Sequence, residues 1–186
     1  MATATHSSTS KSARKPASSR PARSTARRTS TARSKDAIQL LKADHREVEK
    51  LFSQFQKARS YPRLMQLSHK ICLELKVHTQ IEEEIFYPTS REFLKDDEIV
   101  NEAVVEHQAA KDLITQIEGM DASDEMFEAT LTVLQELIDH HVEEEEKKYF
   151  PQLQKSGMDL KGVGERMAMR KQQLMAQMQD HRMEIH

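Results

Sequence analysis

One pattern occurs twice in this 186-residue chain and limits what the chain can become. His78, Glu82, Phe86, Tyr87 and Pro88 recur 63 residues later as His141, Glu145, Tyr149, Phe150 and Pro151. Both copies fit His-x3-Glu-x3-aromatic-aromatic-Pro. A lone His after an acidic residue precedes each: Asp44-His45 lies 33 residues before His78, and Glu106-His107 lies 34 before His141. On a helix, side chains four apart share a face. His78 with Glu82, and His141 with Glu145, thus each aim an imidazole and a carboxylate at one point. His45 and His107 would complete each set from a neighbouring helix. Imidazole suits Fe, Zn, Cu and Ni, and a carboxylate adds charge and can bridge two ions. The spacing predicts a two-metal site inside a helical bundle.

The four His also fall at one level of such a bundle. In an antiparallel hairpin, facing residues are equidistant from the turn. The midpoint of His45 and His78 falls at Tyr61-Pro62, that of His78 and His107 between Pro88 and Asp96, and that of His107 and His141 beside Gly119 and Ser123. All three are regions that break or start helices. The faces agree too. Ile38, Leu41, His45, Val48, Phe52 and Phe55 form one helical stripe, and Ile71, Leu75, His78, Glu82 and Ile85 a second. Val100, Val104, His107, Ile114 and Ile117 form a looser third, and Leu131, Leu134, Ile138, His141, Glu145 and Tyr149 the fourth. The proposed ligands replace core residues. A lone core His is ordinarily just hydrogen-bonded, but four at one level with two buried carboxylates need partners.

Helices are expected over 36–59, 63–87, 96–118 and 124–149, with Pro88 and Pro151 as helix stops. His140 and Glu144 also stand at His-x3-Glu spacing. The repeat register favours His141, because only it lies ten residues before its proline as His78 does. His140 is expected on a neighbouring, partly exposed face, and Glu83, Glu84, Glu143, Glu144 and Glu146 on a solvated one, with Glu83 also placed to act as a ligand or to support one. Cys72, the only cysteine, excludes an intrachain disulfide and is expected to be a packed thiol. After Pro151 a fifth helix should open near Asp159, with Met167, Leu174, Met175 and Met178 on its apolar side. It would dock on the bundle or on a second copy, making a homo-oligomer.

Charge divides the chain. The first 35 residues hold nine Lys or Arg, fifteen Ser or Thr and no Asp or Glu. Too little of that segment is apolar to fold, so a disordered basic arm is expected. Removing its nine cations from the 28 of the whole chain leaves 19 against 30 acids, a net of −11 behind the overall −2. Such an arm can contact nucleic acid phosphates without sequence preference, although it has no aromatic ring for base stacking. It can equally be an inert extension or a targeting segment. No stretch is apolar enough to span a membrane, and the start lacks an apolar signal core; a cytoplasmic protein is expected.

The paired half-sites and their order resemble the hemerythrin-like, His-His-Glu cation-binding family, over about residues 36–155. The resemblance implies an all-α, antiparallel up-down-up-down four-helix bundle. It implies a carboxylate-bridged centre of two non-haem Fe ions that often reacts with O2. By motif position, His45, His78, His107 and His141 would be terminal ligands, and Glu82 and Glu145 bridges. Oxygen-carrying members have a fifth His where this chain has Lys111. Binding or sensing of O2 or a related small oxidant is therefore expected ahead of stable O2 carriage. A di-iron enzyme handling peroxide, nitric oxide or ferrous iron is the alternative, and an iron-responsive protein tethered to nucleic acid by its arm a further one.

Overall fold

The computed structural model describes residues 35–94 and 97–184. The expected disordered arm, but for Lys35, lies outside them. Helix α1 (Ala37–Lys57) opens on Asp36, whose carboxylate accepts from the Gln39 N–H at 2.8 Å while the Gln39 side chain returns to the Asp36 N–H. This reciprocal cap satisfies two amides that a helix start leaves unpaired. A short link leads to α2 (Tyr61–Ile81), which runs through a π-helical turn (Glu82–Phe86) into α3 (Tyr87–Arg91). After α4 (Glu98–Glu118), α5 (Phe127–Glu144) repeats the device: a π turn (Glu145–Tyr149), then α6 (Phe150–Ser156). Gly157, at φ +86°, ends α6 in the left-handed conformation that glycine adopts without strain. Helix α7 (Leu160–Glu184) closes the chain. The fold is an all-α antiparallel four-helix bundle with an added fifth helix, and no strand occurs among the described residues.

The prolines do not stop the helices as expected. A mid-helix proline lacks an N–H and crowds the carbonyl four residues back. Here the turn before each proline is widened: the Tyr87 N–H reaches the Glu82 carbonyl, and the Phe150 N–H that of Glu145, five residues back. Each proline then stands second in a resumed helix, where its missing N–H is not needed. The extra residue also rotates the core face. Phe86 is fully buried, whereas Ile85, expected on the stripe, is only partly so. Val104 is likewise exposed, and Ala103 and Ala110 take the interior positions of α4.

Apolar packing forms two clusters rather than one. The first gathers Leu41, Val77, Ile81, Phe86, Tyr149 and Phe150 with Met167 and Leu174 of α7. The second gathers Val48, Phe52, Ile71, Leu75, Ile114 and Leu134. His45 lies between Leu41 of one cluster and Val48 of the other, and the other paired His and Glu sit at the same level. Helix α7 spends its apolar side on the bundle's own first half. It can approach closely because Gly164 has no side chain. A Cβ there would stand 2.6 Å from the Ala37 nitrogen and 2.7 Å from the Lys35 carbonyl oxygen. Cys72 is fully buried, and burial pushes its thiol up to about 12. It is a packing residue, as expected.

Candidate metal centre

His45 comes from α1, His78 from α2, His107 from α4 and His141 from α5; Glu82 and Glu145 are the first residues of the two π turns. All six are buried, none more than 5% exposed. Their atoms converge in a crossed arrangement. Glu82 Oε2 lies 3.2 Å from His78 Nε2 on its own helix and 3.4 Å from His107 Nε2 across the bundle. Glu145 Oε2 lies 3.7 Å from His141 Nε2 and 3.4 Å from His45 Nε2. The imidazoles themselves pair, with ring centres 5.0 Å apart for His45 and His78 and 4.8 Å for His107 and His141. Two donor groups result, His45–His78–Glu82–Glu145 and Glu82–His107–His141, with Glu82 common to both.

Four further carboxylates hold the outer nitrogens of these rings. Glu146 Oε1 is 2.9 Å from His45 Nδ1, Glu83 Oε1 3.0 Å from His107 Nδ1, and Glu106 Oε2 2.8 Å from His141 Nδ1. Asp44 Oδ2 faces His78 Nδ1 at a longer 3.7 Å. A carboxylate at Nδ1 keeps the proton there and leaves the Nε2 lone pair facing inward. Glu83 thus takes the supporting place open to it, whereas Glu146 is not on the solvated face expected of it, because the widened π turns bring both beside the neighbouring helices. Lys111, at the position of the missing fifth His, places its ammonium 2.5 and 2.7 Å from the two Glu83 oxygens. It anchors the carboxylate that anchors His107.

Tyr87 is the residue that spacing missed. Its buried hydroxyl donates to Glu145 Oε1 at 3.2 Å and lies 3.3 Å from His107 Nε2. The equivalent position of the second copy is Phe150, which stacks on His45. The reversed order of the aromatic pair, Phe86-Tyr87 against Tyr149-Phe150, was the available signal. For the outer acids it was the duplicated acid-His dipeptide: Asp44 and Glu106 serve not their neighbours but His78 and His141. His140 is exposed, as its register implied.

Electrostatics mark the layer as incomplete without a cation. Burial, and then the charge of Glu145, push Glu82 well above the carboxylate range. Burial also opposes ionisation of Glu145, but His141 and His45 outweigh it and hold that carboxyl near 2. Burial drags His78 down to about 4 despite Asp44. In His45 and His141 burial acts the same way, but the Glu145 carboxylate overcomes it and both are raised. Both Glu82 oxygens, Glu145 Oε2, His45 Nε2 and both His78 ring nitrogens are buried with no hydrogen-bond partner. Buried polar atoms are normally satisfied; His78 Nδ1 looks outward to Asp44, and His45 Nε2 and His78 Nε2 look inward to the glutamates. Nitrogen and carboxylate donors suit a borderline first-row cation, so the residues present fit a metal.

A cavity of about 10 Å³ adjoins the four imidazoles, walled by Val48, Leu75, Ile138 and Val142. That is about the space of one water-sized molecule. A groove of about 380 Å³ between α1 and α5 shares His45, Val48, Ile138 and Val142 with it. Among the described residues no helix is long and apolar enough to cross a membrane.

Comparison with known proteins agrees with this geometry. A DNA nickase of Nostoc sp. is 27% identical over 111 residues, which are 60% of this chain and 31% of that protein. An uncharacterized hemerythrin-like protein of Schizosaccharomyces pombe is 27% identical over 114 residues, 60% of this chain and 56% of that one. The chain thus spans less than two thirds of either relative. Among solved structures, a hemerythrin HHE cation-binding domain-containing protein of Mycobacterium kansasii shares the fold, with a TM-score of 0.66 at 24% identity, over 77% of this chain and 89% of that one. The hemerythrin HHE cation-binding domain itself matches residues 36–153, a span that contains both half-sites and every outer carboxylate. By that match, and by the duplicated buried His and Glu within it, the chain belongs to the hemerythrin HHE cation-binding family.

Proposed function

We propose that this chain holds two iron ions between His45, His78, His107, His141, Glu82 and Glu145, and uses them to bind or sense O2 or a related small oxidant. The observation that supports it best is the crossing of the two glutamates, each of which touches one imidazole of either pair, as a bridging ligand must. Iron held there would supply one-electron chemistry toward a small ligand. The chain's own residues do the rest. Asp44, Glu83, Glu106 and Glu146 orient the imidazoles. Val48, Leu75, Ile138 and Val142 keep the adjoining cavity small and apolar, which suits a diatomic molecule better than an organic substrate. Burial and the nearby Glu145 and Glu82 charges raise the Tyr87 phenol well above its usual range, so it keeps its proton beside Glu145. The position of that hydroxyl, between Glu145 and His107, favours an alternative reading, an enzyme acting on peroxide or nitric oxide, because such chemistry needs an O–H group beside the metal.

The deciding experiment is metal analysis with an optical spectrum of protein purified without air, then exposed in turn to O2, peroxide and nitric oxide. Two irons per chain and a ligand-dependent spectrum without turnover are expected. Turnover of peroxide or nitric oxide would favour the enzyme, and a metal other than iron would overturn the reading.

The basic segment of residues 1–35 supports a second role, a tether of the acidic body to nucleic acid. The relative described as a DNA nickase is consistent with a DNA setting, although this chain covers under a third of it. Deleting residues 1–35 should abolish retention on DNA at low salt, a contact that weakens as salt rises. Metal content should not change, since no ligand lies there. Equal DNA retention by the full and shortened chains would rule out the tether.

A further inference from the structure

The 63-residue repeat allows the surroundings of the two halves to be compared position by position. Asp44 and Glu106 are equivalent, each preceding a lone His and each facing the outer nitrogen of its half's second imidazole. In the first half α7 covers this side. Val77 and Ile81 are fully buried in the cluster that includes α7, and Lys171 of α7 sets its ammonium 2.8 Å from Asp44. Helix α7 has no second copy. In the second half the positions equivalent to Val77 and Ile81 are His140, which is exposed, and Glu144, which is partly so. His140 Nε2 lies 3.6 Å from Glu106 Oε1, and its side chain is 62% exposed. One donor atom from each of Glu106, His140 and Glu144 falls within 4.8 Å of the other two.

A second observation bears on the same place. Three of the four carboxylates that hold the buried imidazoles are themselves held by a cationic side chain. Lys171 serves Asp44, Lys111 serves Glu83, and Arg46 serves Glu146. Among the described residues no lysine or arginine reaches Glu106. It meets only the two imidazoles, His141 at one oxygen and His140 at the other.

We propose that Glu106, His140 and Glu144 form a second, surface site for one divalent first-row cation, which takes at Glu106 the place that Lys171 takes at Asp44. Glu106 has the capacity for both duties: Oε2 accepts from His141 Nδ1 and Oε1 faces outward. An imidazole with two carboxylates, completed by water, is a donor set for zinc-like ions. Calcium and magnesium prefer oxygen alone. Small rotations of His140 and Glu144 close the remaining distance. Glu144 is now paired with Lys148, an exposed side chain one turn along, and a surface pair of this kind weighs little against a divalent ion. Because Glu106 also holds His141, the surface ion would be linked to the buried layer through one carboxylate.

The test is equilibrium dialysis of the full-length, metal-free protein against zinc. The wild type should bind one zinc per chain more than either His140→Ala or Glu144→Gln. His140 is exposed and Glu144 partly so, and neither belongs to an apolar cluster, so the variants should keep the helical content of the wild type. A Glu143→Gln variant, which removes a neighbouring surface carboxylate, should keep the extra zinc. Equal zinc in the wild type and His140→Ala would overturn the proposal. So would an equal loss in Glu143→Gln, which would indicate general attraction to an acidic surface. The reading is a difference between variants, so it holds whichever ions the buried centre accepts, and failure of the iron assignment would not mimic its failure.

Discussion

Replacing Glu82 with Gln should shift stability in opposite directions in the metal-free and metal-loaded protein. Without metal, Glu82 is a fully buried carboxyl with neither oxygen hydrogen-bonded. An amide of the same shape removes the cost of ionising it, so the metal-free variant should be more stable than the wild type by about 1–3 kcal/mol. With metal, the variant lacks the group that touches both imidazole pairs. Metal affinity should fall by more than about 100-fold, beyond what loss of an outer orienting group costs. Thermal unfolding with and without metal checks both halves of the expectation. Destabilisation in both states would mean that Glu82 serves packing instead.

The same variant isolates a pH effect in the metal-free protein. Glu82 has a folded pKa raised above its ordinary 4.5, so the folded chain holds that proton more tightly than the unfolded one. Its contribution is therefore present below 4.5 and is lost as pH rises through the folded pKa. Glu145, held near 2, acts in the other direction and in another window: its contribution is present above 4.5 and lost as pH falls toward 2. His78, lowered to about 4 from 6.5, also loses stability on acidification, over that interval. The difference between wild type and variant, followed upward from pH 4.5, should widen while the unfolded chain ionises Glu82 and the folded chain keeps its proton, and should level off above the folded pKa. A constant difference would count against the raised pKa.

The second large effect is expected at Gly164. A side chain there meets backbone on every near side: the Ala37 nitrogen and Asp36 carbonyl carbon at 2.6 Å and the Lys35 oxygen at 2.7 Å. Backbone at a capped helix start cannot step aside, so in Gly164→Val α7 must lift away. Overpacking of this kind costs about 1–3 kcal/mol, and the burial of Val163, Met167 and Leu174 is weakened with it. Lys171 rides on the same helix, so Asp44 also loses its ammonium, and metal affinity should fall by about 10-fold or more. Gly162→Ala is the comparison, because its added carbon meets only the flexible side chain of Asp159. Calorimetry should show a clear drop in Tm for the first variant and a smaller one for the second.

Periodicity and turn residues carried the architecture. The stripe through Ile38, Leu41, His45, Val48, Phe52 and Phe55 is buried at every position. The equidistance of the four His from three breaks located the antiparallel turns. The π turns were not legible, because a helix with one inserted residue differs from its neighbours by a hydrogen-bond register that no residue type announces. That omission misplaced Ile85 and Phe86 and ended two helices too early at proline. The outer carboxylates were missed for another reason. Asp44 serves His78 and Glu146 serves His45, so each match depends on which helices are neighbours and how they are rotated. Val104 was misjudged because alanines supply the close contacts of α4, and small residues leave a weak hydrophobic signature.

The crossing of Glu82 and Glu145 gives the bundle the logic of an isologous contact, in which each partner offers the other what it receives. The first half lends a carboxylate to His107, and the second returns one to His45. Neither half can close a site by itself, yet both lie on one chain, so each position can change without its counterpart. Tyr87 against Phe150, and Lys171 on Asp44 against His140 beside Glu106, are such single-sided changes. The result is a pocket built on near-symmetry with two inequivalent ends: a stacked phenyl ring on the His45 side, and a hydroxyl and an open protein face on the side of His107 and His141.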